Sequence, residues 1–167
     1  MRPLGSGSLQ LHVTGEITRD LAATIERAID EYPSHSVDVV CDTVGGDWAA
    51  SRRIFECLVA HDKRVTAHIS RAQSGGALIV MAADIRRMSP AGTFFLHWPR
   101  GDVAQARLDE IAATKAGLIA SRSRVPATKL LRWMRENTWL DAEQALHYGL
   151  ATEVPGMKSP SSVTVFL

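Results

Sequence analysis

Residues 71–84 read RAQSGGALIVMAAD and place a serine and two glycines directly before an apolar run. The run predicts a buried helix over 75–83, and the β-rich segment before it predicts a strand over 64–70. Ser74 would then stand at a helix start, where the backbone N–H groups are unpaired. Such a serine is either a helix cap or a nucleophile, and local sequence does not distinguish the two. A nucleophile also needs a base, an orienting group and amides for an oxyanion elsewhere in the chain.

Strands and helices alternate on both sides of this stretch, which predicts an α/β core between residues 9 and 97. The predicted strands are 9–17, 37–41, 64–70, 85–88 and 93–97, the last two joined by a Ser-Pro-Ala-Gly turn, with a last short strand at 151–154. The predicted helices begin at Thr18 or Asp20, at Asp47, at Ser74, near 104, at Pro126 and at Asp141.

Three of the predicted strands end in residues that are useful for acyl transfer. Gly45 and Gly46 follow the second strand, Ser74 and Gly75 follow the third, and His97 ends the last of the series. Glycines permit a close approach of the backbone to a reacting carbonyl, and histidine titrates near neutral pH. Each feature taken alone is more typical of an ordinary turn, cap or structural histidine. Their shared position at adjacent strand ends favours one converged site.

The composition excludes several classes of function. The chain has 167 residues, 46% of them hydrophobic and 22% charged, with a formal net charge of +1, which is typical of one globular domain without a strong attraction to nucleic acid or acidic lipid. No apolar run approaches the ~20 residues of a membrane span, and no signal-like core follows Met1, so we expect a cytoplasmic protein. Cys41 and Cys57 lack metal-ligand spacing and are expected to be reduced core residues. We therefore expect no metal and no cofactor, and no nucleotide-binding motif is present.

Four stretches together resemble the Clp protease proteolytic subunit (ClpP) family, and in particular its phage-type, head-maturation-protease-like relatives. They are VDVVCDTVGGD (37–47), SRAQSGGALIVMAAD (70–84), RRMSPAGTFFLHWP (86–99) and TWLDAEQALHYGLATEV (138–154). The resemblance covers roughly residues 9–155. It implies an α/β fold, the ClpP/crotonase-like spiral of β-β-α units, with a shortened helical handle.

By this resemblance the chain is organised around a single peptidase domain over 9–155. The handle helix would cover about 104–122. Residues 1–8 would form a flexible N-terminus, and 156–167 a C-terminal tail or an edge strand.

The resemblance also implies the activity, which is serine endopeptidase hydrolysis through an acyl-enzyme. Ser74 would be the nucleophile and His97 the base, with Gly75 and either Gly45 or Gly46 donating to the oxyanion. The substrate would be a peptide or an unfolded protein, cleaved by a homo-oligomeric ring. An ATP-driven unfoldase is a further partner that the family implies, although the segment that lines the family's axial pore is barely present here.

The third member of the catalytic set departs from the family pattern. The family has an aspartate four residues before the residue that opens the late helix, and the matching residue here is Asn137. An amide can orient an imidazole but cannot stabilise an imidazolium by charge. Glu136 is the alternative third member, with Asp102 and Asp141 as further substitutes, although Asp141 already caps the late helix.

Three other functions remain open at this point. The asparagine and the trimmed handle favour a catalytically weak or inactive assembly subunit. The shared spiral allows a crotonase-like acyl-CoA enzyme, although those enzymes generally use carboxylates. A serine–lysine mechanism with Lys63 or Lys115 is the third, but neither lysine lies in a matching motif.

Overall fold

The computed structural model describes residues 7–158 as five strands and six helices that alternate over the first two thirds of the chain. The elements are β1 (Ser8–Ile17), α1 (Arg19–Glu31), β2 (Ser36–Gly46), α2 (Trp48–Ala60), β3 (Val65–Gln73), α3 (Gly75–Val80), β4 (Ile85–Leu96), α4 (Gln105–Ala120), α5 (Ala127–Arg135), β5 (Thr138–Leu140) and α6 (Ala142–His147). Residues 1–6 and 159–167, with most of the predicted flexible end and most of the predicted tail, lie outside the described part, and Ser8 of the predicted flexible end is the first residue of β1.

The strands form one sheet in the order β1-β2-β3-β4-β5. The first four strands are parallel, and β5 pairs antiparallel with β4. Parallel strands joined through helices bring their carboxyl ends to one edge of the sheet. The α/β prediction is therefore confirmed, and the ends of β2, β3 and β4 lie side by side.

Helix caps fix where the chain turns back onto the sheet. The Thr18 side chain accepts from the Leu21 amide at 3.1 Å, and Asp47 accepts from the Ala50 amide at 2.8 Å. Asp141 and Gln144 form a reciprocal capping box. The predicted caps at Thr18, Asp47 and Asp141 are confirmed.

The region of β4 differs from the prediction. Residues 85–96 form one strand, whereas the sequence predicts two strands separated by a turn. Ile69 pairs with Met88 and Arg71 pairs with Thr93, so residues 89–92 are accommodated as an irregularity in the ladder. The prediction of two strands is wrong because a Ser-Pro-Ala-Gly segment fits such an irregularity as well as it fits a turn. The strand predicted at 151–154 is a single bridge between Arg87 and Glu153.

Helix α4 packs on α5 and also contacts α3, which opens with the residue after Ser74. Its buried face is formed by Ala112, Ala116 and Ile119 together with one charged residue, Lys115. No helix within residues 7–158 is long and apolar enough to cross a membrane. Cys41 is a buried free thiol, and burial raises its pKa to about 12, so it stays protonated as a core residue.

Candidate active site

The three predicted strand ends meet around one cleft of about 400 Å³. Ser74, His97, Gly46 and Gly75 all line this cleft. They come from β2, from the junction of β3 with α3, and from the end of β4, as the parallel topology requires. The structure therefore brings together the predicted nucleophile, the predicted base and two of the predicted oxyanion donors.

Ser74 has an unusual backbone conformation. Its φ and ψ are 51° and −111°, a region that costs free energy for a residue with a side chain. The surrounding structure holds it there, because its amide donates to the Phe95 carbonyl oxygen at 2.8 Å. Its side chain makes no capping hydrogen bond to α3. The interpretation of Ser74 as a helix cap is therefore wrong, and the hydroxyl remains free to react.

The glycines beside Ser74 permit close packing around it. A Cβ added at Gly45, whose φ is +92°, would lie 2.7 Å from the Ser74 Cβ and 3.1 Å from the Gly75 nitrogen. A Cβ added at Gly75 would lie 2.2 Å from the Ser51 Oγ. A side chain at Gly45 would displace the nucleophile or the start of α3, and one at Gly75 would displace Ser51 of α2 or the start of α3.

Two of the three predicted oxyanion donors have amides that suit the role. The Gly45 amide donates to the buried Thr43 Oγ1 at 3.0 Å, so in this arrangement it does not face the cleft. Gly46 pairs with Ile17 of β1, and the amide of the next residue, Asp47, donates to the Ile17 carbonyl oxygen at 2.9 Å. Ile17 is thus the residue that bonds to the neighbours of Gly46, and the Gly46 amide points away from β1, toward β3. Gly75 is the first residue of α3 and has no intrahelical acceptor for its N–H. Gly46 and Gly75 are thus the better candidates.

His97 is held as a neutral base. The ring Nδ1 lies 2.7 Å from the Trp98 carbonyl oxygen, and because a carbonyl only accepts, Nδ1 carries the proton and Nε2 is left free. Burial lowers the pKa of His97, and the positive charges of Lys115 and Arg100 lower it further against the opposing effect of the Trp98 carbonyl. The ring also stacks on Phe95, with centroids 5.5 Å apart.

Ser74 and His97 line the same cleft without a direct hydrogen bond. Within the described part of the chain, the Ser74 hydroxyl has no hydrogen-bond partner. Catalytic hydrogen bonds are often long without substrate and shorten in the complex. The two side chains therefore share a cleft without touching, and their catalytic pairing stays a prediction.

The third member is not joined to His97. Asn137 and Glu136 are both exposed, and among residues 7–158 the His97 ring has one hydrogen bond, to Trp98. The β4–β5 register pairs Leu96 with Thr138, and extending that antiparallel register by one residue sets Asn137 opposite His97. Asn137 also has a positive φ of 51°. The register supports Asn137 over Glu136, and its role stays a prediction.

Sequence reasoning considered Lys115 only as the base of a serine–lysine mechanism and missed that positive charge lies on the cleft wall. Lys115 of α4 and Arg100 both line the cleft, and the acidic residue on its wall is Asp47. The available signal was a lysine at helical spacing from Ala112 and Ile119, on a face that is otherwise apolar. Within residues 7–158, no group of acidic, histidine or cysteine side chains could hold a metal ion.

Comparison with known proteins identifies relatives over most of the chain. The family model described as Clp protease matches residues 8–158. The chain is 30% identical over 161 residues to the ATP-dependent Clp protease proteolytic subunit 2 of Treponema pallidum, covering 87% of this chain and 81% of that protein. ClpP1 from Listeria monocytogenes superposes with a TM-score of 0.82 at 20% identity, covering 89% of this chain and 92% of the other. A point mutant of the same protein gives 0.81 at 20% identity, covering 87% and 90%. The expected fold is confirmed.

Proposed function

Because the chain belongs to the Clp protease family, we propose that it is a serine endopeptidase that acts through an acyl-enzyme. Family membership supports peptide-bond hydrolysis in general. One observation carries the finer proposal. A serine in a strained conformation, free of any capping bond, opens onto the same cleft as a histidine with an unprotonated Nε2.

In the proposed reaction, the Ser74 Oγ attacks the scissile carbonyl carbon as His97 Nε2 takes its proton. The oxyanion that forms would accept from the amides of Gly46 and Gly75, each typically worth ~3–4 kcal/mol of transition-state stabilisation. His97 then gives the proton to the leaving amine as the C–N bond breaks. A water molecule, deprotonated by the same Nε2, attacks the ester carbonyl. Nε2 returns that proton to the Ser74 Oγ as the acyl C–O bond breaks, which releases the second product and restores both side chains.

Orientation of His97 is the least conventional part of the proposal. The Trp98 carbonyl already selects the tautomer that a base requires, without a carboxylate. We assign Asn137 a supporting role, reached by a local adjustment of β5 against β4. An amide there adds orientation but no charge, which predicts a smaller contribution than an aspartate would make.

Substrates and assembly follow the family pattern as proposals. We propose peptides or unfolded chains as the substrates. We also propose that the chain assembles into a homo-oligomeric ring, and the mass of this ring can be measured in solution. The matching relative from Treponema pallidum is named as an ATP-dependent proteolytic subunit. An unfoldase partner for this chain is a corresponding but less supported proposal.

The nucleophile assignment is tested by labelling the purified protein with a fluorophosphonate probe. Wild-type protein should label, and Ser74→Ala should lose labelling and peptide hydrolysis while keeping its circular dichroism spectrum. Ser70 is an exposed serine on β3, the strand that leads to Ser74, so Ser70→Ala is the matched control and should label normally. Equal labelling of Ser74→Ala and wild type would remove Ser74 from the mechanism.

An inactive assembly subunit is the second function to consider. The missing Ser74–His97 hydrogen bond and the exposed Asn137 favour it. It predicts that wild-type protein assembles but neither labels nor cleaves any peptide. The crotonase-like acyl-CoA alternative is not proposed, because the chain belongs to the Clp protease family.

A further inference from the structure

Lys115 is a buried amine without a counter-ion. Its side chain lies on the inner face of α4 and the residue is 3% exposed. Within the described part of the chain, it takes part in no hydrogen bond and no ion pair. The Lys115 Nζ nevertheless keeps some solvent exposure. Among residues 7–158, the fully buried side-chain nitrogen or oxygen atom without a hydrogen-bond partner is His35 Nδ1, and the Lys115 Nζ is not such an atom. Lys115 is also one of the residues that line the cleft holding Ser74 and His97, so we assign the accessible part of its amine to that cleft.

The cleft wall cannot neutralise this charge. Its acidic residue, Asp47, accepts from the Ala50 amide at 2.8 Å and from the Arg19 guanidinium at 3.4 Å. Arg100 lines the same cleft and adds a second positive charge. A negative group that fills the cleft would therefore meet two cations and no free carboxylate of the wall.

We propose that Lys115 selects a carboxylate of the peptide substrate, namely an Asp or Glu side chain next to the scissile bond. This inference rests on the proposed peptidase function and adds the class of peptide that the cleft accepts. The free C-terminal carboxylate of a short peptide has the same chemistry, and the experiment separates the two sources.

Desolvation supports this role. Burial lowers the pKa of Lys115 to about 7, because an ammonium group without a partner is destabilised away from water. A carboxylate that enters the cleft supplies the missing partner and favours the charged amine. Neutral peptides of the same size leave the amine without a partner, so the site discriminates by the free energy of a buried charge-assisted hydrogen bond.

A lysine with a pKa near neutrality is also a possible base for Ser74. His97 already provides an unprotonated Nε2 on the same cleft, so the structure favours the selective role for Lys115 over the catalytic one. The two roles differ in one observable. A base affects the reactivity of Ser74 toward every acyl donor, whereas a selective residue affects the ratio between acidic and neutral peptides.

The test is a panel of fluorogenic peptides that differ only in the residue before the scissile bond, which is Glu, Gln or Leu, each with a free and an amidated C-terminus. Wild-type protein should cleave the Glu peptide with a kcat/KM about ten- to a hundredfold above that of the Gln peptide. Lys115→Met should bring this ratio close to one, and Lys115→Arg should keep a preference for Glu. Lys63→Met changes an exposed lysine outside the cleft and should keep the wild-type ratio.

Binding of the Glu and Gln peptides to the Ser74→Ala variant is measured in parallel, since this measurement requires neither turnover nor a change at Lys115. The Glu peptide should bind more tightly than the Gln peptide, and this arm remains informative if Lys115→Met fails to fold. A Glu-to-Gln ratio near one in wild type, or one unchanged by Lys115→Met, would overturn the inference. If cleavage depends on a free C-terminus and not on Glu before the scissile bond, the carboxylate that Lys115 selects is the peptide's C-terminal one.

Two further outcomes separate this inference from the proposed function. Loss of fluorophosphonate labelling in folded Lys115→Met and Lys115→Arg would make the lysine a base and overturn its selective role. If wild-type protein neither labels nor cleaves, the peptidase proposal fails, and the binding arm alone then decides whether Lys115 prefers a carboxylate.

Discussion

The two halves of the candidate site are held in different ways. The nucleophile half consists of residues 43–46 and 73–76, and the base half of residues 97–98 and 136–138. In the nucleophile half, Ser74 is fixed by the hydrogen bond from its N–H to the Phe95 carbonyl oxygen of β4, and by glycines where an added Cβ would approach neighbouring atoms to less than 3 Å. In the base half, His97 is half-buried and held by its neighbour's carbonyl, while Asn137 is exposed. Close backbone packing thus defines one half, and adjustable side chains define the other.

This difference accounts for a site whose proposed nucleophile and base share one cleft without a hydrogen bond between them. The position of the nucleophile is a consequence of folding, because it cannot move without displacing buried strands. In the base half, the exposed Asn137 side chain can move at little cost, because exposed side chains make few packing contacts. Substrate binding or subunit assembly can therefore complete the base half while leaving the nucleophile half unchanged.

The largest effect is expected from adding one methyl group to the nucleophile half. In Gly46→Ala the new Cβ would lie 2.2 Å from the Ile17 carbonyl oxygen and 2.7 Å from its nitrogen, and backbone atoms cannot swing aside. We expect a loss of about 3 kcal/mol or more in the free energy of unfolding, measured by urea denaturation, together with loss of fluorophosphonate labelling. Gly117→Ala is the control, since a Cβ there meets nothing within 4 Å, and a helical Gly→Ala change should stabilise by about 0.5–1 kcal/mol. Equal stability of the two variants would contradict the rigidity of this half.

A smaller effect is expected in the base half, and it separates two of its members. His97→Ala should lower kcat/KM by about 10²–10⁴, as expected for loss of a general base. Asn137→Ala should lower it by less, since the Trp98 carbonyl already orients the ring and an amide supplies no charge. Steady-state kinetics on one neutral peptide measures both. Equal losses would show a tightly coupled triad and refute the loosely held third member.

The smallest effect is a shift in pH dependence. Activity requires neutral His97 and falls as pH drops through its pKa, so a pKa below the ordinary 6.5 keeps the protein active to lower pH than a solvated histidine would. Lys115 and Arg100 are the positive groups that contribute to this lowering, after burial. Lys115→Met should therefore move the acid limb of kcat/KM, measured with a neutral peptide, to higher pH. A limb that stays in place or moves to lower pH would mean that Lys115 does not act on His97.

The backbone plan of the site could be predicted from the sequence, and its side-chain contacts could not. Gly45, Ser74 and His97 were predictable because turn glycines and strand ends leave local signals that parallel topology brings to one edge. The three-residue strand β5 was not predicted, since a strand that short has no periodicity. It is β5 that aligns Asn137 with His97, so the sequence could suggest that pair only through resemblance to the family.

Lys115 shows the limit of sequence patterns most directly. Its sequence neighbours are ordinary for an amphipathic helix, and a lysine there would usually be solvated with its stem on the helix surface. It enters the cleft because α4 contacts α3 beside Ser74, a contact between segments about 40 residues apart. A contact between segments so far apart leaves no signal in the local sequence pattern. For the same reason, no motif supports the serine–lysine alternative, although Lys115 lines the same cleft as Ser74.

The hydrogen bond from the Ser74 amide to Phe95 gives the site its own reporter. That amide proton can exchange with deuterium only when the ends of β3 and β4 separate, and the same separation carries His97 away from the serine. When reclosing is faster than exchange, the protection factor of this amide gives the equilibrium between the joined and the separated ends of β3 and β4, in the free protein and with peptide bound.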